Sequence, residues 1–148
     1  MRRIAVLVTA VLFLAGLWIP SAAGTGTDEA RDAARRFGLA LTSANASALR
    51  PLLPARGKVV LALSRLAQES GSFASGQVEA VFRDALAVVA VRSFEVLGME
   101  SDARSFALAS ARASITDRQG RAAIVPIHLA FQPEDGVWVI REIRETLE

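Results

Sequence analysis

From Val91 onward, apolar residues recur at every second position, whereas earlier in the chain they recur every three to four. A period of two marks a strand with one buried face, and a period near 3.6 marks a helix. The segments 91–99 (VRSFEVLGM), 103–117, 121–132 and 137–147 each alternate. RQG at 118–120 and PEDG at 133–136 are short turns between them. Strands joined by turns this short pair antiparallel, because a parallel pair needs a crossover of a dozen or more residues. The second half of the chain is therefore read as an antiparallel meander.

The first half is helical in pattern. In DEARDAARRFGLALTSA (28–44), Ala30, Ala33, Ala34, Phe37, Leu41 and Ala44 fall on one face. Asp28 and Glu29 suit the positive end of the helix dipole, Thr27 is placed to cap, and Asp32 precedes Arg35 and Arg36 at pairing distance. Pro51 and Pro54 restrict 45–57 to a short helical turn at 46–50 and an irregular link. GKVVLALSRL (57–66) reads as a first strand. A loop of small residues, 70–74, leads into a second helix over 75–90, with Ser75 as its cap. Val78, Val81, Phe82, Ala85, Leu86 and Val89 form its buried face, and Gln77, Glu79, Arg83 and Asp84 face water. Helices segregated from an antiparallel sheet define an α+β domain, and 148 residues suffice for one.

The first residues do not belong to that domain. Arg2 and Arg3 precede an apolar run from Ile4 to Ile19, Pro20 breaks it, and Ser21-Ala22-Ala23 has the small residues a signal peptidase prefers. The run is shorter than the ~20 residues needed to span a bilayer. Residues 1–23 are read as a signal peptide cleaved after Ala23, and 24–148 as a secreted or periplasmic domain with no stable membrane anchor after cleavage. Two of the seventeen basic residues leave with the signal, so fifteen of each sign remain. The sequence pI near 10.3 follows from having one lysine, sixteen arginines, no tyrosine and no cysteine. Little titrates above neutrality, so a small excess carries the pI far up. No basic stripe suggests nucleic acid. Without cysteine, the domain relies on its core alone.

The element order resembles the NTF2-like (cystatin-like) fold, a cone made by a curved antiparallel sheet packed on helices. The closing GVWVIREI is similar to that superfamily's last strand. GSFASGQVEAVFRDAL, the VRSFEVLGM strand and the C-terminal hairpins resemble a family of small secreted bacterial proteins known only as a domain of unknown function. The likeness covers 57–148. It implies a fold and no particular activity, since the superfamily holds isomerases, dehydratases, hydrolases and non-catalytic modules.

The residues themselves offer few sites. Gly71 and Gly76 match the G-x-x-x-x-G spacing of a phosphate loop, but Gln77 and Val78 stand where Lys and Ser/Thr would be needed. The glycines then serve the turn, with Phe73 tucked into the core. His128, the one histidine, could be a general base if it faced the cone. It shares parity with Ile124 and Ala130, opposite Val125, Ile127, Leu129 and Phe131, although a bulge at Pro126 would reset that parity. Arg112 and Glu142 could meet across the sheet, either lining the cone or as an ion pair on the outer face. Asp84, on the polar face of its helix, is a poor base. One histidine and no cysteine predict no metal site and no nucleophilic triad, and no cofactor is expected. Ala103, Ala107, Ala109, Ala111 and Ala113 put small side chains on one strand face, leaving room for a ligand or letting the 75–90 helix pack close. The expectation is a non-catalytic binding or accessory module. It would hold an apolar small molecule in the cone, or pair with itself or another protein through the sheet face. The alternative is a small isomerase or hydratase with His128 or Glu142 as base.

Overall fold

The computed structural model describes residues 26–146. The expected signal peptide over 1–23, its expected cleavage after Ala23, and Leu147 lie outside the described residues. Helix α1 spans Gly26–Thr42, so Thr27 lies inside it rather than ahead of it. Its apolar stripe is buried from Ala30 to Leu41, and Arg36 pairs with Asp32 one turn back at 3.0 Å. A 3₁₀ segment, Ala46–Leu52, takes up the proline-limited stretch. Then come β1 (Val59–Leu63), β2 (Glu69–Phe73), α2 (Ser75–Leu86), β3 (Ala90–Ser101), β4 (Ala107–Thr116), β5 (Ala122–Glu134) and β6 (Val137–Glu145).

The six strands form one curved sheet in the order β2-β1-β6-β5-β4-β3. The meander β3 to β6 is antiparallel as its turns require. Two features differ from the sequence reading. β1 lies parallel to β6, Leu61 opposite Ile143, so the sheet is mixed. The small-residue stretch before α2 is an edge strand: β2 pairs with β1 from Val59–Phe73 to Leu63–Glu69. Its exposed serines and Gly71 carry no alternation, so only the partner strand makes it extended. Edge strand β3 carries register shifts at Arg92 and Leu97.

One face of the sheet is closed by helices. On β4 and β5 the inward set is Ala107, Ala109, Ala111, Ala113 and Ile115 with Val125, Ile127, Leu129 and Phe131. α1 lies over β3 and β4, while α2 packs on the 3₁₀ segment and β2. The small side chains therefore admit α1, not the second helix. Ala103 sits apart, exposed in the β3–β4 turn. Phe37 of α1 meets Phe94 of β3 and Phe82 of α2 edge-on, with ring centroids 5.6 and 5.8 Å apart. Beside it, Gly38 lets the helix backbone touch the sheet: a Cβ there would fall 2.2 Å from Cδ1 of Phe94.

Gly38→Ala should therefore cost roughly 1–3 kcal/mol, as overpacking of a filled core does, read as a lowered thermal midpoint. Gly98→Ala, whose Cβ would meet nothing within 4 Å, should change stability by no more than about 1 kcal/mol.

Candidate functional site

The strand alternation places each proposed site residue. Pro126 causes no register slip: β4 and β5 stay in step from Ala107–Phe131 to Thr116–Ala122. Pro126 stands one position beyond the last β5–β6 pair, and its carbonyl accepts from Thr146 at 3.0 Å. The irregularity lies instead on β6, where Arg141 is the extra residue between Ile140 and Glu142. His128 thus keeps the outward parity, half-buried between Ser110 of β4 and Arg144 of β6.

Arg112 and Glu142 share this outer face but do not meet, because β5 runs between their strands. Arg112 donates to Glu95 of β3 at 2.9 Å, and Arg144 donates to Glu142 at 2.6 Å. Both are cross-strand or same-strand ion pairs on a wet face, the kind that contributes little. Asp84 is exposed. Within the cone, Phe37, Phe82, Ile127, Leu129 and Phe131 are buried to 1% exposure or less. The space beside the β4 alanines is occupied by α1, and His128, Arg112 and Glu142 all lie on the opposite side of the sheet. Among the described residues, no group of His, Cys, Asp or Glu is arranged to hold a metal.

The stretch 71–76 is not a phosphate loop. Phe73 ends β2 and packs half-buried against the core. Ser75 does not cap α2; its hydroxyl donates to the Pro54 carbonyl, tying the helix start to the link before β1. The capping is done from inside, where the Gln77 side chain accepts the Ala74 N–H at 2.9 Å, half of a capping box.

Three carboxylates escaped the sequence reading. Glu79, assigned there to the wet face of α2, is buried, with 5% of its side chain exposed. It accepts from Arg50 Nε and Nη2 at 3.0 and 2.9 Å and from Arg83 at 2.8 Å. Arg83 at i+4 was visible in the sequence, but Arg50 comes from 29 positions away. Glu145 accepts the backbone N–H groups of Ser64, Arg65 and Leu66 at 2.7–3.1 Å, fixing the link between β1 and β2. Glu134 takes the Ala55 N–H at 2.7 Å and Arg141 at 3.1 Å, while Arg141 also donates to the Arg56 carbonyl at 2.7 Å. Each ties an irregular segment to an element distant in sequence.

Two aspartates organise hairpins. Asp102 accepts from the Ser105 hydroxyl and from the N–H groups of Arg104, Ser105 and Phe106. The Ser105 hydroxyl foremost, then these amides, hold its carboxyl far below the usual carboxylate range. Asp117 is lowered chiefly by the Arg121 N–H, with Gln119 N–H and the Arg121 guanidinium adding to it.

No protein-family model matches the chain, and no curated protein matches it. The fold, by contrast, is shared by many solved structures. A DUF4783 family protein from Bacteroides uniformis ATCC 8492 superposes with a TM-score of 0.58 at 15% identity, over 77% of this chain and 97% of that one. An NTF2-like family protein from Streptomyces avermitilis gives 0.62 at 15% identity, over 84% and 99%. A ketosteroid isomerase-like fold from Catenulispora acidiphila DSM 44928, in complex with trimethylamine, gives 0.61 at 14% identity, over 79% and 85%. The chain has the NTF2-like fold. Identities this low carry no activity across, and the trimethylamine belongs to that neighbour.

Two predictions follow from these charges. Arg50→Met with Arg83→Met strands the Glu79 carboxylate and should cost about 3–5 kcal/mol. Glu79→Gln leaves only exposed guanidinium groups unpaired and should cost about 1–2 kcal/mol; urea unfolding of both variants checks that order. Asp102 and Asp117 have lowered folded-state pKa values, so each adds stability above an unfolded value of about 4. That stability is lost as pH falls below it. Asp102→Asn with Asp117→Asn should flatten the drop in urea midpoint between about pH 5 and pH 2.

Proposed function

We propose that this chain is a non-catalytic binding module, secreted or periplasmic, that works through the outer face of its sheet, with a second copy of itself as the first partner to test. The observation that carries this is the division of the sheet: the helix-covered face is packed with large apolar side chains, while the outer face mixes Ile124 (56% exposed) and Val60 (38% exposed) with balanced Glu–Arg pairs. A face of that mixture, near neutral and partly apolar, suits a two-fold contact in which each patch meets its own image. An apolar ligand in the cone would have to displace Phe37, Phe131 or their neighbours. The enzyme alternative has the fold of its ketosteroid isomerase-like neighbours in its favour, but it needs His128 or Glu142 inside the cone, and neither is there.

The test is light scattering of the exported protein over a range of concentrations, with Ile124→Glu as the disrupting variant. A dimer that Ile124→Glu converts to monomer supports the reading. A monomer at every concentration that carries an apolar molecule seen by native mass spectrometry would overturn it in favour of the cone.

A further inference from the structure

At one end of the sheet, away from the α1–β3 packing, the β1–β2 link and the β4–β5 turn converge on a cleft of about 430 Å³. Its lining mixes the apolar Ile115 and Ala123 with the polar Gln68 and Gln119, and Arg65, Arg118 and Arg121 stand around it. The acids nearby are spent. Asp117 already takes the N–H groups of Gln119 and Arg121 at 2.9 and 2.8 Å and the Arg121 Nε at 3.1 Å. Glu145 is filled by the backbone of the link and the Ser64 hydroxyl. Arg65 spends one guanidinium N–H on the Ile124 carbonyl, at 3.2 Å, and has no carboxylate partner. Arg118 has neither a hydrogen bond nor an ion pair among the described residues.

We infer that this cleft is a binding site for a small organic anion, a carboxylate or phosphate group carried on a short apolar body. A guanidinium fork matches either anionic head with two parallel N–H donors, and here two forks lack a carboxylate. Three arginines against two acids leave the rim with an excess positive charge. The volume lies within the range of ~300–1,000 Å³ for small-molecule sites, and Ile115 and Ala123 offer apolar contact to the body that carries the head group. Both walls are fixed before any ligand arrives: the link is held by Glu145 and the turn by Asp117. A preformed site loses less ordering entropy on binding. This site adjoins the outer-face contact proposed above, since Arg65 donates to the Ile124 carbonyl, but its binding of an anion does not depend on that contact.

Chemical-shift titration of the whole exported protein with phenyl phosphate, phenylacetate, inorganic phosphate and benzyl alcohol tests the assignment. Phenyl phosphate or phenylacetate should shift amides of 64–68 and 117–123 saturably, with a Kd of about 1 mM or tighter. Inorganic phosphate, lacking the body, and benzyl alcohol, lacking the charge, should each bind at least about tenfold more weakly. Which of the two aromatic anions binds tighter separates a carboxylate from a phosphate head. Arg118→Ala, which removes no contact within the fold, should weaken binding about tenfold. Arg104→Ala, on the β3–β4 turn, should leave it unchanged. Shifts spread over arginines throughout the surface, equal affinity in Arg118→Ala, or no saturable shift with either aromatic anion would overturn the proposal.

Discussion

The contact of α1 with β3 is the constraint on which the rest of the molecule depends. A curved sheet exposes an apolar face that must be covered, and over β3 and β4 the cover is α1, crossing at Gly38 against Phe94. That approach is possible because neighbouring β4 offers only Ala107 to Ala113 inward, while β5 supplies the bulk through Ile127, Leu129 and Phe131. Small residues under the helix and large ones beside it fill the cone at the density a protein interior requires. Phe37 then joins the two helices and the sheet, touching Phe82 on one side and Phe94 on the other. Because the packing is shared among three elements, the cone's interior is committed to holding the fold together.

Charge is used in the same spirit. The irregular segments 45–57 and 64–68 have backbone groups that no ladder satisfies, and such groups need partners. Glu134 and Glu145 reach back from the last hairpin to supply them. Glu79 draws the 3₁₀ segment onto α2 through Arg50. These carboxylates are occupied by structure.

Much of this was legible in the sequence, and the reason is periodicity. The alternation Val125, Ile127, Leu129, Phe131 fixed which face of β5 is buried, and with it the outward placement of His128. The helical stripe from Ala30 to Leu41 did the same for α1. What could not be read depends on distant partners. Nothing in ESGSF alternates, so β2 exists only because β1 offers a ladder. Glu79 looked solvated because Arg50 lies outside its helix. A proline within a strand marks Pro126 as the place for a bulge, yet the extra residue is Arg141, whose guanidinium donates to Glu134 and the Arg56 carbonyl. Arg112 and Glu142 sit on the parity expected, but the strand order puts β5 between them.

The two edges of the sheet have a consequence of a different kind. An open edge with a regular row of free amides is a template on which copies can add without limit. β2 is only five residues long and made mostly of small, exposed residues. β3 is longer, but its register breaks at Arg92 and again at Leu97, so an incoming strand finds no unbroken run to zip along. A protein held together without disulfides, whose strands are rich in apolar residues, is thereby guarded against growing into fibres.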